Sequence, residues 1–267
     1  MQSPVSPNLF VGEGTLSVRV EYSSGKQIPS RITDSSIVNE LLQTMDNVKG
    51  SAMINTTQFE NHSLSGGLTF RSGQLPEQLV WSQEQFEHHW EQHPLERHMV
   101  KIIGKPIQVP RWQQARGANY SYTGSRNNAL PVLRSLLPLL DWSQQTIDTR
   151  LNGLLLNWYK GPEDYIGAHH DSTKGLVRGA PIVTISFGEK RIFRLTRWES
   201  RKRVEQHDFP ASHGDVFVVG WDLNKAWKHE VLKRTAYTGR RISVTLRAFS
   251  QGVLPPEQYY EADANQS

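Results

Sequence analysis

The chain has 267 residues, of which 37% are hydrophobic and 21% charged, a composition that excludes a disordered or fibrous protein. It contains no cysteine, which excludes disulfides, thiolate metal sites and cysteine nucleophiles, and it has no apolar run long enough to span a membrane. The net charge of +4 is unevenly distributed, because residues 1–98 carry 6 basic and 11 acidic side chains whereas residues 99–267 carry 24 and 15.

The first eighty residues contain few structural signals. Residues 15–22 alternate apolar and polar side chains like a strand, and residues 37–45 have a helical pattern preceded by possible N-caps at Asp34 and Ser36. Residues 46–78 are rich in Asn, Ser, Gly and Thr, which predicts loops or a flexible insert. The N-terminus lacks the profile of a signal peptide, so an intracellular protein, cytoplasmic or nuclear, is expected.

Two helices are predicted in the middle of the chain. Ser82 is followed three residues later by Gln85, the spacing of a capping box, and Phe86 and Trp90 then share one helix face. Pro131 occupies the first turn of a second predicted helix, which extends to about residue 140. Both helices are expected to pack on the outer face of a sheet.

The chain from residue 154 onwards has the pattern of strands. Short segments rich in β-branched and aromatic residues are separated by Gly, Pro and Asp. They are LLLNWY, PIVTISFG, RIFRLTRW, DVFVVGW and RRISVTLRAF. Several strands without intervening helical patterns predict a double-sheet roll or barrel, so the fold class is mostly β with flanking helices, α+β.

Two histidines and one aspartate in this region have the spacing of a metal site. His169 and Asp171 lie two residues apart in YIGAHHD, so on a strand their side chains share a face, while His170 points away. His229 follows 58 residues after Asp171, within AWKHEV. Two histidines and one carboxylate leave metal positions open for a chelating cosubstrate and O₂, the arrangement of non-heme iron(II) oxygenases. Taken alone, the H-x-D pattern is weak, because short His/Asp pairs also occur by chance.

The last predicted strand carries two arginines on one face. In RRISVTLRAF, Arg241 and Arg247 are six residues apart and therefore point the same way, with an apolar opposite face. Arginines facing a barrel interior are costly unless paired with anions, and a dicarboxylate would fit their planar forks. An exposed sheet face with solvated arginines is the alternative. Asn157 and Tyr159 in LLLNWY similarly place two polar groups on one face, which could donate to a carboxylate or mark a strand end.

The order of these motifs along the chain resembles that of the AlkB family of nucleobase dioxygenases. The motifs are N-x-Y, H-x-D, a distant histidine and R-x-S-x-T-x-R. Further segments that are similar to the family are VPRWQQARG, YSYTG, NWYKGPEDYIGAHHD and PIVTISFGEKRIFRL. The resemblance runs from about Val80 to Phe249. It implies a double-stranded β-helix (jelly-roll) core and a division into an N-terminal extension of uncertain structure (1–79), a dioxygenase domain (80–250) and a C-terminal tail (251–267).

The resemblance also implies roles for the matching side chains, namely iron ligation, cosubstrate binding and contact with the target base. The implied iron ligands are His169, Asp171 and His229. The implied cosubstrate-binding residues are Asn157, Tyr159, Arg241 and Arg247, and the residues implied to contact the target base are Tyr120, Tyr122, Thr173 and Arg191. Within the second group, Arg241 would bind the distal carboxylate of 2-oxoglutarate, and Arg247 would stand behind the metal and contact the carboxylates.

The implied cofactors are Fe(II), 2-oxoglutarate and O₂. The implied reaction oxidises an N-methyl group on a DNA or RNA base, so that succinate, CO₂ and formaldehyde are released and the base is freed. A base in a duplex would have to be flipped out or presented single-stranded. A monomer without membrane association is expected. The basic second half could hold the phosphate backbone, or could be plain surface charge. The arginines considered for this are Arg111, Arg116, Arg126, Arg191 and Arg194.

The sequence departs from the family pattern beside the metal ligands. Base-repairing members carry an acidic residue shortly after the metal aspartate, whereas here Asp171 is followed by Ser172, Thr173 and Lys174. A hydroxylase of a protein, lipid or small molecule therefore remains an alternative, as does a non-catalytic nucleic-acid-binding jelly-roll module. His89 and His93 have the spacing of a helical zinc pair, although a solvated, partly aromatic helix face is the favoured interpretation.

Overall fold

The computed structural model describes residues 8–12, 15–19, 57–122 and 124–261. The chain divides into two compact units, Met1–Asn55 and Thr56–Ser267. In the first unit, strands β1 (Asn8–Gly12) and β2 (Thr15–Arg19) form an antiparallel hairpin. A strand is therefore present where residues 15–22 predicted one, while the helix predicted at 37–45, with its caps, lies outside the described residues.

The described residues of the second unit contain the remaining strands and four α-helices. The helices are α1 (Gln83–Trp90), α2 (Leu137–Thr146), α3 (Trp221–Ala226) and α4 (Pro256–Tyr259), with 3-10 turns at Glu77–Leu79 and Arg134–Leu136. The strands are β3 (Glu60–Leu64), β4 (Leu68–Gln74), β5 (Met99–Ile102), β6 (Lys105–Gln108), β7 (Trp112–Arg116), β8 (Tyr120–Tyr122), β9 (Ser125–Asn127), β10 (Ala129–Leu130), β11 (Val132–Leu133), β12 (Gly153–Tyr159), β13 (Ile166–His169), β14 (Ile182–Gly188), β15 (Arg191–Glu199), β16 (Lys202–Ala211), β17 (Asp215–Val219), β18 (Trp227–Val231), β19 (Arg241–Arg247) and β20 (Tyr260–Glu261).

Two sheets face each other to form the roll. The larger sheet has eight strands in the order β10-β7-β12-β19-β14-β17-β4-β3, and the smaller has four in the order β13-β18-β15-β16. Apart from the parallel β10-β7 pair, neighbouring strands in both sheets are antiparallel. The mostly β, jelly-roll fold class predicted from the sequence is confirmed. No helix in the described part of the chain is long and apolar enough to cross a membrane.

The pairing of β12 with β19 determines which side chains face the interior of the roll. Tyr159 lies opposite Arg241, and Gly153 lies opposite Arg247. Because side chains alternate along a strand, both arginines face the interior of the roll, while leucine, isoleucine, valine and tryptophan side chains of the same strands face the helices. Both strands are buried along their whole length.

The outer face of the larger sheet is covered by the two predicted helices. The capping box is confirmed, since Ser82 Oγ accepts from Gln85 N at 3.2 Å and Gln85 Oε1 accepts from Ser82 N at 2.8 Å. Phe86 and Trp90 of α1 join the main core with the leucines of α2. Burying each such side chain contributes about 1.5–3 kcal/mol, which fixes the sheet that carries the site.

Two predictions about the first half of the unit are wrong. The stretch 60–74, predicted to be loop, forms the β3–β4 hairpin, which turns at Gly66 and Gly67 with φ of +79° and +68°. The stretch was predicted to be loop because most of its residues are polar. It is nevertheless a hairpin because Phe70 is fully buried in the core and β4 pairs with β17. The helix expected from Pro131 begins only at Leu137, because the two residues after the proline pair with β20. The domain boundary at residue 80 stays a prediction.

Candidate active site

A cavity of about 460 Å³ lies between the two sheets. The larger sheet contributes Arg241 and Arg247 to its wall, and the smaller sheet contributes His169 and His229, with Asp171 directly after β13. The structure therefore brings the two groups of residues singled out in the sequence into one space.

The two histidines and the aspartate converge on one point. His169 and His229 are cross-strand partners, so their rings lie side by side. The Nε2 atoms of His169 and His229 lie 3.4 Å and 3.8 Å from Asp171 Oδ1, and the three ligand atoms lie within 4.8 Å of one another. His169 Nδ1 donates to the Gly167 carbonyl at 2.8 Å, which leaves the Nε2 lone pair free for a metal. Burial lowers the pKa of His229 to about 3, so this ring is neutral, as ligation requires.

Asp171 is held in place by three neighbours. Arg247 donates to Oδ2 from Nε at 3.0 Å and from Nη2 at 2.5 Å, which leaves Oδ1 facing the histidines. The Tyr120 hydroxyl donates to Oδ1 at 3.3 Å. Asn224 accepts from Asp171 N at 2.9 Å and donates to its carbonyl at 3.0 Å. Burial alone would raise the pKa of the Asp171 carboxyl, but the Arg247 charge and the histidines hold it well below its usual range.

Arg241 provides an anion-binding end to the cavity. Its side chain is fully buried, Nε donates to Ser186 Oγ at 2.9 Å, and both terminal nitrogens lack a hydrogen-bond partner. The Tyr159 ring lies 5.0 Å from the guanidinium carbon. Burial lowers the pKa of Arg241. Two unpaired donors on a buried cation match a carboxylate, and the metal-ligand cluster lines the same cavity. The residues present therefore fit Fe(II) together with a dicarboxylate such as 2-oxoglutarate.

Asn157 is oriented by Gln113, which sequence reasoning missed, and by Arg111, which was considered only for contact with a phosphate backbone and is buried instead. Its Oδ1 accepts from Arg111 Nε at 2.9 Å and from Gln113 Nε2 at 2.8 Å, and its Nδ2 lies 3.4 Å from Ser243 Oγ. Arg111 and Gln113 are buried and line the cavity. The alternation of Arg111 and Gln113 on one face of the β7 segment is the signal that could have identified them.

The residues predicted to contact the target base are only partly together. Tyr120 and Tyr122 both line the cavity, with ring centroids 5.5 Å apart, and the Tyr122 hydroxyl donates to Gln113 Oε1. Thr173 is half-buried but does not line the cavity, whereas its neighbour Ser172 does.

Arg191 is not a surface residue, so a direct role in holding a phosphate backbone is wrong for it. Its side chain is fully buried, and it donates to the carbonyls of Asp164 at 2.6 Å, Gly161 at 3.0 Å and Gly239 at 3.4 Å. It also lies 5.1 Å from the ring of Tyr159, on which Arg241 packs. Arg191 therefore ties the wall of the anion-binding end to two neighbouring loops.

The other arginines considered for phosphate contact differ in exposure. Arg116 is buried and donates to the Pro131 carbonyl at 2.8 Å, and Arg194 pairs with Asp208 at 2.5 Å. Arg126 is exposed. A phosphate backbone could therefore reach Arg126 directly, whereas Arg116 is occupied inside the protein.

The helical histidines do not form a second metal site. Across the described ranges, the only group of three or more potential metal ligands is the His169, Asp171 and His229 cluster. His89 is buried and stacks on Trp81 with ring centroids 4.1 Å apart. The favoured interpretation is therefore right that the helix face is partly aromatic, but wrong that it is solvated at His89, which is buried.

Comparisons with known proteins agree with this geometry. A family model described as the 2OG-Fe(II) oxygenase superfamily matches residues 36–247. "DNA oxidative demethylase ALKBH2" of Homo sapiens is 30% identical over 156 residues, which cover 55% of this chain and 60% of that protein. The protein of the same name from Arabidopsis thaliana is 26% identical over 260 residues, covering 86% and 73%. "Alpha-ketoglutarate-dependent dioxygenase alkB homolog 3" of Rattus norvegicus is 27% identical over 124 residues, covering 44% and 41%.

The similarity covers only part of several relatives. The chain spans about three fifths of the Homo sapiens demethylase and 56% of its Bos taurus counterpart.

Proposed function

The chain belongs to the 2OG-Fe(II) oxygenase superfamily, and from this premise we propose that it oxidatively removes alkyl groups from the nitrogens of DNA or RNA bases. The observation that carries the proposal is the fully buried Arg241, whose two terminal nitrogens are unpaired in the cavity that also holds the His169, Asp171 and His229 cluster. A chelating dicarboxylate would satisfy the arginine and the metal together, and it would offset the cost of burying a cation with two unpaired donors.

The side chains divide the chemistry among them. Fe(II), held by the three ligands, would supply the oxidation of the alkyl C–H bond when 2-oxoglutarate and O₂ are present. Arg241 would anchor the distal carboxylate, and Asn157, fixed through its own carbonyl, would direct its amide N–H groups to the cosubstrate. Arg247 keeps one oxygen of Asp171 for the metal by occupying the other. The remaining cavity would exclude water from the alkyl group.

A nucleic acid as substrate is supported by the mouth of the cavity as well as by the names of the relatives. The β5–β6 hairpin contributes Val100 and Ile107 to the cavity wall. At its tip, Ile103 is 97% exposed with φ of +49°, and Lys101 and Lys105 flank it. An apolar side chain between two cations fits a base step between two phosphates, where such wedges open the stack. A flipped base would then enter the cavity.

We further propose that the protein acts as a monomer inside the cell, in the cytoplasm or the nucleus. The absence of cysteine is compatible with a reducing compartment. A hydroxylase of a protein or a small molecule remains the second candidate for the same chemistry. The lysine-flanked hairpin at the cavity mouth favours a polyanion over a neutral metabolite.

The test is formaldehyde and succinate release from oligonucleotides carrying a single methylated base, in DNA and in RNA, with Fe(II) and 2-oxoglutarate supplied or omitted one at a time. The proposal expects release that requires both and that disappears in His169→Ala. Cosubstrate turnover without release from any methylated oligonucleotide would retain the dioxygenase and reject the nucleic-acid substrate. A folded protein that neither binds nor turns over 2-oxoglutarate would reject the enzyme.

A further inference from the structure

The cavity has no spare negative charge at its substrate end. Among the described lining residues, Asp171 is the only carboxylate. One of its oxygens is occupied by Arg247, and the other faces the two histidines. A base entering this cavity therefore finds no carboxylate that could pair with a positive charge.

Positive charge is abundant around the same space. Arg111, Arg241 and Arg247 all line the cavity and are all buried. With metal and cosubstrate bound, the two positive charges of the metal would cancel the two negative charges of the dicarboxylate. The negative charge of Asp171 would cancel the positive charge of one arginine. Two positive charges then remain, because a histidine binds a metal as a neutral ring. A cationic base would be repelled, most strongly where water is excluded.

Beside the tyrosines, Arg111 presents hydrogen-bond donors to the cavity. Arg111 uses Nε on Asn157 and Nη1 on the Tyr165 carbonyl at 3.3 Å, and its guanidinium still faces the cavity. The acceptor on Gln113 is already taken by the Tyr122 hydroxyl. Arginine donors match the ring carbonyl oxygens of bases, whereas the exocyclic amino group of an adenine or a cytosine needs an acceptor.

We propose that this site, given the proposed function on which the inference rests, selects uncharged bases whose alkylated nitrogen lies beside a ring carbonyl. Bases of this class are 3-alkylthymine, 3-alkyluracil and 1-alkylguanine. The cationic 1-alkyladenine and 3-alkylcytosine are disfavoured. Because two positive charges remain uncompensated at the edge of a partly desolvated site, kcat/KM should be about 10- to 100-fold higher for the uncharged bases than for the cationic ones.

The experiment assays the 267-residue chain on oligonucleotides that are identical except for one base. The uncharged 3-methylthymine and 1-methylguanine are compared with the cationic 1-methyladenine and 3-methylcytosine. Faster turnover of the uncharged pair supports the inference. Equal or faster turnover of the cationic pair overturns the inference while the proposed function stands. No turnover of any of the four, with 2-oxoglutarate bound, overturns the proposed function and the inference with it.

A matched pair of variants tests the charge itself. Ser172 lines the cavity beside the metal ligand, so Ser172→Asp adds the missing carboxylate and Ser172→Asn adds the same bulk without charge. The aspartate variant should shift the ratio of cationic to uncharged turnover by at least about 10-fold relative to the asparagine variant. Binding of the same oligonucleotides without O₂, followed by fluorescence anisotropy, should shift in the same direction. Identical ratios for both variants in both assays, with folding unchanged, would overturn the inference.

Discussion

Replacing Arg241 by methionine separates its binding role from its structural cost. The wild-type guanidinium is buried with two unpaired donors, each of which costs about 1–3 kcal/mol of desolvation. Methionine removes these donors at similar length, and it loses the bond from Nε to Ser186 and the cation–π contact with the Tyr159 ring. We therefore expect Arg241→Met, without cosubstrate, to be at least as stable as the wild type.

Cosubstrate binding should respond in the opposite direction. A bidentate guanidinium–carboxylate contact contributes about 3 kcal/mol or more, so the variant should bind 2-oxoglutarate at least about 100-fold more weakly. At a concentration 100 times the wild-type Kd, 2-oxoglutarate stabilises the wild type by about 2.7 kcal/mol and the variant by about 0.4 kcal/mol. For a unit of this size the shift in Tm is about 5–10 °C in the wild type and about 1 °C in the variant.

The assay is thermal unfolding by circular dichroism with and without 2-oxoglutarate, in the presence of the metal. Arg178→Met is the matched control, because Arg178 is exposed and away from the cavity wall, and its Tm shift should equal that of the wild type. An Arg241→Met protein that keeps the full Tm shift would refute the assignment of the anion-binding end. A variant strongly destabilised without cosubstrate would refute the claim that the unpaired donors are a cost.

Three further outcomes follow from the packing around the site. Burial lowers the pKa of His89 to about 3 in the folded protein, whereas in the unfolded chain it is about 6.5. As the pH falls below about 6.5, the unfolded state therefore binds a proton that the folded state does not, and the free energy of unfolding should fall by about 2 kcal/mol by pH 5. Urea unfolding curves of His89→Phe at pH 6.5 and at pH 5 should lack this pH-dependent loss of stability, because phenylalanine does not titrate. Asn224→Ala removes both bonds to the Asp171 backbone and should weaken Fe(II) binding about 10- to 100-fold in a metal titration. Because a buried N–H and a carbonyl are then left unpaired, the free energy of unfolding should also fall by about 1–3 kcal/mol or more. Gly188→Ala should lower the free energy of unfolding, measured in urea, by more than about 2 kcal/mol, because φ is +86° and the new Cβ would lie 2.4 Å from the Arg240 carbonyl oxygen. Gly161→Ala is the control and should cost little, because the nearest atom to its new Cβ lies at 4.0 Å.

The residues that the sequence predicted well are those whose placement depends on local periodicity. Arg241 and Arg247 are six apart on β19, so the alternation of the strand is enough to place them on one face. His169 and Asp171 converge as predicted, but Asp171 lies beyond the end of β13, and His170, which was expected to point away, also lines the cavity. The capping box at Ser82 is likewise a local pattern, and it is present as expected.

The residues that were missed or misassigned depend on contacts distant in sequence. Asn224 reaches Asp171 from a short helix 53 residues away, which no spacing rule would show. Arg191 was expected to contact substrate from the family resemblance and the basic second half of the chain, yet three backbone carbonyls from two loops accept from its terminal nitrogens inside the protein. Phe70 anchors a strand whose other residues are mostly polar, so composition alone indicated a loop.

The pairing of β12 with β19 has a consequence for how such a protein can diverge. One face of these two strands carries the side chains that are proposed to bind the cosubstrate and to support the metal, and the other face forms the main core. Inserting or deleting one residue in either strand would exchange the two faces, so that arginines would enter the core and the leucines would enter the cavity. Length changes are therefore excluded there and tolerated in the β5–β6 hairpin and in the segment after Asp171. New substrate ranges are expected to arise at that rim, while the chemistry beneath it stays the same.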